Sequence, residues 1–330
     1  MALTIRPLTL DDVAQVAELL LRDAEQRNAL NPAIWPVADN SRQRTEAAVR
    51  ASIAEASSGE VWRLAEASGR IVGVAHGMVV PVPPIYGGLA GPPGLLLDDC
   101  VTAPDAPSGA AEALLVATEA ALKAAGAASL IASCPAAGPW RPLYEAGGYE
   151  PVTLYLAKSG FRDQAPGPSV RPAGPEDVAA IVKLSADHRK TLARLNPRFW
   201  SIHPDADARF ERWMGYSLTL TDRDMVVAGA PGAVRGYVIA QPIAPLLVPA
   251  AHDISAIGVI DDFYDADFAG VPAIADAGKT ATQLLTAAQS AFARRGVDAA
   301  LAVCPAAWTS KVALLEAQGW RTAKLWMLKR

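Results

Sequence analysis

Apolar and polar positions fall into two rhythms along this chain, and the same order of rhythms runs twice. Val13, Val16, Leu19 and Leu20 are spaced as one face of a helix, and so are Val178, Ile181 and Leu184. A short extended run precedes each stripe, at 3–6 and at 169–171. Between run and stripe stand Thr9-Leu10-Asp11-Asp12 and Gly174-Pro175-Glu176-Asp177. Such small or acidic groups suit the free N–H groups of a helix start. A second helix is expected near 42–56, and near 205–216 in the later stretch. Strands follow at 60–65 and 70–80, joined through Ser68-Gly69, and at 225–228 and 234–241, joined through Pro231-Gly232. An apolar strand is expected at 95–102, matched by 256–263. An alanine-rich helix comes next, at 109–124 and 278–295, then a strand at 128–134 and 299–304. A short helix ends at Gly147-Gly148 or Gln318-Gly319, and last strands close at 150–157 and 321–329.

Residues as well as rhythm return. Ile5-Arg6-Pro7 recurs as Val170-Arg171-Pro172, and Leu30-Asn31-Pro32 with Trp35 as Leu195-Asn196-Pro197 with Trp200. Cys134-Pro135-Ala136-Ala137 recurs as Cys304-Pro305-Ala306-Ala307, and Glu145-Ala146-Gly147-Gly148-Tyr149 as Glu316-Ala317-Gln318-Gly319-Trp320. Two long copies make a duplicated domain rather than a solenoid, which needs several short repeats. The division is an N-terminal domain at 1–158, a linker at 159–168 broken by Pro166, Gly167 and Pro168, and a C-terminal domain at 169–330. The order per copy, β-α-α-β-β-β-α-β-α-β, is mixed α/β with an antiparallel front and a βαβ crossover behind. A doubly wound dinucleotide fold would alternate strand and helix throughout. The short linker and the exposed edge that each unpaired terminal strand would leave predict that the halves pack together as an internal pseudo-dimer.

Composition narrows the function classes. The 330 residues carry 30 basic and 34 acidic side chains, and no Lys/Arg run marks a nucleic-acid face. The opening Met1-Ala2-Leu3-Thr4-Ile5-Arg6 does not read as a signal peptide, and no apolar run of about 18 residues predicts a membrane span. Three cysteines without CxxC spacing predict reduced thiols, neither a disulfide framework nor a zinc site. A cytoplasmic protein is the expectation. His76, His188, His203 and His252 show no metal spacing. Cys134 and Cys304 read as small buried hydrophobes, and Trp35 and Trp200 as packing residues. Ala277-Gly278-Lys279-Thr280 lacks the first glycine of a phosphate-binding P-loop, because Ala273 stands there.

The element order, with the motifs on it, resembles the GNAT N-acetyltransferase superfamily in tandem form, once per half. The resemblance implies two GNAT-like acyl-CoA N-acyltransferase domains, acetyl-CoA as cosubstrate, no metal, and an amine acceptor of unknown identity. In that family a strand reading roughly V-x-P runs into R/Q-x-x-G-x-G/A, which opens a helix continuing A-L-L and holds the pyrophosphate. A helix N-terminus offers unpaired donors to an anion, and glycine lets phosphate come close. The run Val101 to Leu115 places the family's positions on Gly109 and Ala111, so Val101, Ser108, Gly109, Ala110 and Ala111 are the expected coenzyme A contacts. Ala106 stands at the family's Arg/Gln position. The second copy places Lys279 and Ala281 at the small-residue positions and carries extra residues near 265–273.

The family's motif L-Y-x-x-x-G-F supplies a tyrosine that protonates the leaving thiolate. Leu143-Tyr144-Glu145-Ala146-Gly147-Gly148-Tyr149 matches it, whereas Leu315 replaces the tyrosine in the second copy. Tyr144 is therefore the expected acid, with packing under the last strand as its alternative role. Deprotonating an amine needs a base, for which each copy offers a carboxylate pair, Asp98-Asp99 and Asp261-Asp262. One reading makes the N-terminal half a working N-acetyltransferase. The other makes the chain a non-catalytic acyl-CoA-binding or scaffold protein with both halves degenerate.

Overall fold

A computed structural model describes residues 3–54, 59–88, 91–165 and 167–330. Pro166 of the expected linker and the final residues of the expected second helix lie outside the described residues. The first half runs β1 (Leu3–Pro7), α1 (Val13–Leu30), α2 (Ser41–Ala54), β2 (Glu60–Ala67), β3 (Arg70–Val79), β4 (Pro93–Leu96), β5 (Val101–Thr102), α3 (Ala110–Ala124), β6 (Ser129–Pro135), α4 (Arg141–Ala146) and β7 (Tyr149–Ser159). The second runs β8 (Val170–Pro172), α5 (Val178–Leu195), α6 (Ala206–Ser217), β9 (Asp224–Ala228), β10 (Gly236–Pro242), β11 (Ile257–Asp265), α7 (Lys279–Arg294), β12 (Ala299–Pro305), α8 (Thr309–Ala317) and β13 (Arg321–Lys329).

The repeated Arg-Pro…Asp motif has one physical job in both halves. The Asp12 carboxylate accepts the Thr9 N–H at 2.8 Å and so closes the first turn before α1. Arg6 locks that carboxylate with two hydrogen bonds of 2.8 and 2.7 Å. Asp177 accepts from the Gly174 N–H at 2.9 Å and from Arg171 twice at 2.7 Å. The arginine thus fastens the first strand to the first helix, holding the acid in the place where orphan N–H groups need it.

All strands among the described residues join one 13-stranded sheet in the order β1-β2-β3-β4-β6-β13-β7-β12-β11-β10-β9-β8, with β5 paired to β3. The final strands are exchanged. β13 pairs antiparallel with β6 of the first half, Leu325 opposite Cys134. β7 pairs antiparallel with β12 of the second, Leu154 opposite Cys304. The two exchanged strands also pair with each other at the centre. No sheet edge separates the halves, so both are built into one hydrogen-bonded ladder.

Helices cover both faces. In the first half α1 and α2 pack Val16, Leu20 and Val49 on Trp62 and Val74. α3 and α4 pack Leu114, Leu122 and Tyr144 on the opposite face. The crossover expected from sequence is present: β4 runs parallel to β6 from Pro93↔Ser129 to Leu96↔Ala132, and β11 parallel to β12.

The expected strand at 95–102 is broken. β3 pairs with Leu96 through Gly77 and with Val101 through Val74. Two residues on β3, Ala75 and His76, therefore face four on the other side, Leu97 to Cys100. This bulge carries Asp98 and Asp99. The second half keeps β11 continuous but bulges at the same place, where Ile239 alone faces Asp261 and Asp262. Bulges re-aim side chains and occur beside active sites.

Candidate active site

Beyond Leu96 and Ala132 the ladder between β4 and β6 stops, and the strands splay. In the first half this gap is a cleft of about 50 Å³, lined by Arg27, Asp98, Cys100, Ser133, Cys134 and Trp140 among others. Tyr144 stands behind it with no exposed surface. Its hydroxyl lies against the Cys100 thiol and has no other hydrogen-bond partner among the described residues. Burial, then Cys100, push the phenol well above its ordinary range. Burial likewise pushes the Cys100 thiol up to about 12. Tyr144 is therefore a neutral O–H donor one side chain away from the cleft. Its ring packs on Trp140 and Tyr149, with centroids 5.9 and 5.5 Å away.

The two bulge acids go to opposite partners. Asp98 is buried and ion-paired to Lys324, which the exchanged strand β13 brings in from the far end of the chain. Arg27 of α1 lies 3.8 Å from the same carboxylate and binds Asp23 at 2.6 Å. Burial works to raise the Asp98 pKa, but Lys324 and Arg27 outweigh it and hold the carboxyl below its ordinary value. Asp99 turns the other way, to His76 Nδ1 at 3.2 Å. The far nitrogen of His76 meets Glu60 at 3.3 Å, and the ring stacks on Trp62 at 3.7 Å. Burial lowers the His76 pKa, but Asp99 and Glu60 together raise it above the ordinary value.

The expected phosphate turn lies on the helix side of the gap. Val101 is half-buried and paired with Val74. Ser108 and Gly109 are exposed, Ala110 is buried and Ala111 half-buried. Gly109 has φ +84°, left-handed backbone that favours glycine, and a Cβ there would meet nothing within 4 Å. No side chain caps α3; the Pro107 carbonyl takes the Ala110 N–H at 3.1 Å, and the next N–H groups, of Ala111 and Glu112, have no intrahelical partner. The turn fits an anionic phosphate group.

The second half has closed the same two features. A Cβ on Gly278, the residue before α7, would lie 2.7 Å from both Ile274 and Leu314 side chains, so apolar atoms fill the cradle. The extra segment folds down onto α8, with the Ser310 N–H donating to the Val271 carbonyl at 3.1 Å. Lys311 is buried and donates to the Phe263 carbonyl at 2.5 Å, with its ammonium over the Phe263, Phe268 and Trp308 rings. An amine from α8 thus bonds the backbone just beyond the splay. Asp261 is exposed and forms no ion pair among the described residues. Asp262 binds His188 at 3.2 Å and the Tyr237 hydroxyl at 2.8 Å.

Sequence reasoning singled out Asp98, Asp99 and Tyr144 but missed Asp23, Arg27, Glu60, His76, His252 and Lys324, which surround them. One signal was available. Lys324 stands where Thr153 stands in the other copy, and an ammonium at an inward strand position needs an acid opposite. Among the described residues no helix is long and apolar enough to cross a membrane, and no group of His, Cys, Asp and Glu is placed to hold a metal.

No protein-family model and no curated protein matches the sequence. Solved structures do match in fold. A GCN5-related N-acetyltransferase from Sphaerobacter thermophilus is 18% identical with TM-score 0.57, over 99% of this chain and 95% of that one. The glucosamine N-acetyltransferase region of a fungal multi-domain β-N-acetylglucosaminidase is 11% identical with TM-score 0.54, over 99% of this chain and 38% of that one. A tandem GNAT protein from the clavulanic acid biosynthesis pathway is 14% identical with TM-score 0.49, over 99% and 97%. The chain has the GNAT N-acetyltransferase fold over nearly its whole length.

Proposed function

We propose that this chain is an acetyl-CoA-dependent N-acetyltransferase whose N-terminal half does the chemistry. The observation that carries this reading is the contrast between halves. Gly109 opens onto free space, and the splay between β4 and β6 holds a cleft. Side chains fill the cradle at Gly278, and Lys311 bonds the backbone beyond the second splay.

Acetyl-CoA supplies an activated thioester. The turn into α3, Ser108, Gly109, Ala110 and Ala111, holds the phosphates, with Val101 on the strand that leads toward it. Asp99, joined to His76, takes the proton that the amine must lose as its nitrogen bonds the acetyl carbon. The carbon–sulfur bond breaks, and Tyr144 is the donor for the departing thiolate. Asp98 is better suited to positioning than to proton transfer, because Lys324 already holds its charge. The two GNAT-like domains at 1–158 and 169–330 work as one body, with the pseudo-dimer formed through exchanged strands. Incubation with acetyl-CoA and an amine panel, following free thiol, tests the reading. Thiol release above the hydrolysis background supports it, and a flat trace across the panel sinks it.

The complete burial of Tyr144 favours a second reading, in which the hydroxyl only packs and the chain binds acyl-CoA without chemistry. Acetyl-CoA binding by calorimetry without turnover would select it.

A further inference from the structure

At its hydroxyl end Tyr144 meets the cleft through Cys100. The Cys100 thiol lines the cleft at the splay, whereas Tyr144 is wholly buried behind it with its hydroxyl against that thiol. A thioester entering the splay would therefore reach the Cys100 sulfur before the phenol. Cys100 Sγ also donates to the His76 carbonyl at 3.7 Å, which fixes the thiol at the end of the bulge, next to Asp99. Cys134 lines the same cleft, but its Sγ faces the Met327 thioether at 3.9 Å.

A proton donor works best when its proton affinity matches that of the acceptor. A thiol ordinarily loses its proton near about 8.5 and a phenol near about 10, so a thiol is the closer match for a departing thiolate. Burial pushes the Cys100 thiol up to about 12, while the His76 carbonyl and the Tyr144 hydroxyl pull the other way. A thiolate leaving into the same buried cleft bears the same kind of desolvation cost, so the two sulfurs stay matched. The Tyr144 hydroxyl has no other hydrogen-bond partner among the described residues and is free to donate to a Cys100 thiolate. The thioether beside Cys134 has no proton to offer.

We propose that Cys100 is the catalytic residue that protonates the departing coenzyme A thiolate, and that Tyr144 is the positioning residue that holds the charge left on the Cys100 sulfur. The inference rests on the transferase reading above, and within it Tyr144 serves the thiolate through Cys100 rather than by contact. As the amine nitrogen bonds the acetyl carbon, the carbon–sulfur bond breaks and its electron pair goes to the coenzyme sulfur. The Cys100 S–H bond breaks next. Its proton moves to the coenzyme sulfur, and its electron pair stays on Cys100, facing the Tyr144 O–H. The amine proton goes to Asp99 and His76. When coenzyme A leaves, water entering the cleft returns a proton to Cys100 and takes one from that pair.

Turnover and infrared spectroscopy of the full chain test this. Cys100→Ser keeps size and polarity, but a hydroxyl holds its proton more tightly than a thiol. It should lower kcat by about 10²–10⁴-fold, as should Cys100→Ala, with acetyl-CoA affinity unchanged in both. Adding Tyr144→Phe to either should cost little more, because the two residues serve one step. Cys304→Ala in the second half should leave the rate as it is. Acetyl-CoA has no S–H group, so the S–H stretching band missing from Cys100→Ala should shift when acetyl-CoA binds the wild type. Desulfo-coenzyme A should bind and leave that band in place. Recovery of rate in Cys100→Ser, additive losses with Tyr144→Phe, or an unshifted band would each overturn the assignment. A shifted band without turnover on any amine would keep Cys100 as a contact for the thioester, and would remove both its donor role and the transferase reading. Wild-type turnover in Cys100→Ala would keep the transferase and remove Cys100 from its chemistry.

Discussion

Lys324 and Asp98 form a buried ion pair across 226 residues of chain, between the last strand of the second half and the bulge after β4 of the first. Both side chains are almost wholly inaccessible. An ammonium and a carboxylate taken out of water must find each other or impose a heavy desolvation cost. The pair therefore couples the bulge geometry to the strand exchange.

Lys324→Met should destabilise the protein by about 3–5 kcal/mol, because it leaves Asp98 buried with only Arg27 nearby. Urea denaturation of the single variant and of Lys324→Met with Asp98→Asn measures this. The double variant should recover most of the loss. A single-variant loss below about 1 kcal/mol would mean that Arg27 alone compensates the carboxylate.

Gly109→Glu should abolish acetyl-CoA binding, since it strains a left-handed position and sets a negative charge at the helix start. Lys279→Glu, beside the filled cradle of the second half, should leave affinity unchanged. Calorimetric titration of both variants decides, and the reverse pattern would move the cofactor to the second half.

Tyr144→Phe should lower turnover by about 10²–10⁴-fold while acetyl-CoA affinity stays the same. Stability should be unchanged or slightly higher, because the hydroxyl has no partner but the Cys100 thiol. Steady-state kinetics with thermal melts checks both halves of the expectation. Full activity would return Tyr144 to packing alone.

His252 gives a signed pH dependence. Its folded pKa of about 4 lies below the ordinary 6.5, so the unfolded chain binds the extra proton between those values. Stability from this group is present above pH 6.5 and lost as pH falls toward 4, by about 3 kcal/mol. His76 acts oppositely: its raised pKa stabilises at low pH and the contribution fades as pH rises through the folded value. His252→Phe should flatten the acid limb of a stability–pH curve between pH 4 and 6.5. An unchanged slope would show that the ring is charged or solvated in the folded protein.

A chain ending before β13 should lose the first half's fold as well as the second's. β6 would then lack its Leu325 partner, and Asp98 its ammonium. Circular dichroism of chains 1–318 and 1–159 tests this. Monomeric, cooperatively melting fragments with the stability of the whole would show that the exchanged strands are dispensable.

Much of this architecture was legible in the residues themselves. Periodicity set nearly every helix and strand, because burial of one face demands it and because two copies could be read against each other. The Arg6–Asp12 and Arg171–Asp177 locks lie within one turn of sequence, so their motif was visible even though the bond was not. Gly109 was marked by the spacing of the resembled motif from Val101, whereas its left-handed backbone was not visible in the sequence. Tyr144 against Leu315 was a contrast of residue types at one position, and needed no coordinates.

What the sequence could not decide is what lies between distant segments. Both halves have a final strand of suitable pattern, and either could have closed its own sheet, since β-pairing requires only a compatible partner and register. The tertiary structure chose the exchange, and with it chose Lys324 as the partner of Asp98. It also broke the expected strand at 97–100, because β3 offers two residues where the other side has four. Segment 249–252 reads as an ordinary loop until packing lays it against the first half, where Arg44 Nε donates to the Ala250 carbonyl at 3.1 Å. Local pattern fixes which surface a residue must bury. Only the assembled chain fixes against which charge, because desolvation is settled by neighbours in space.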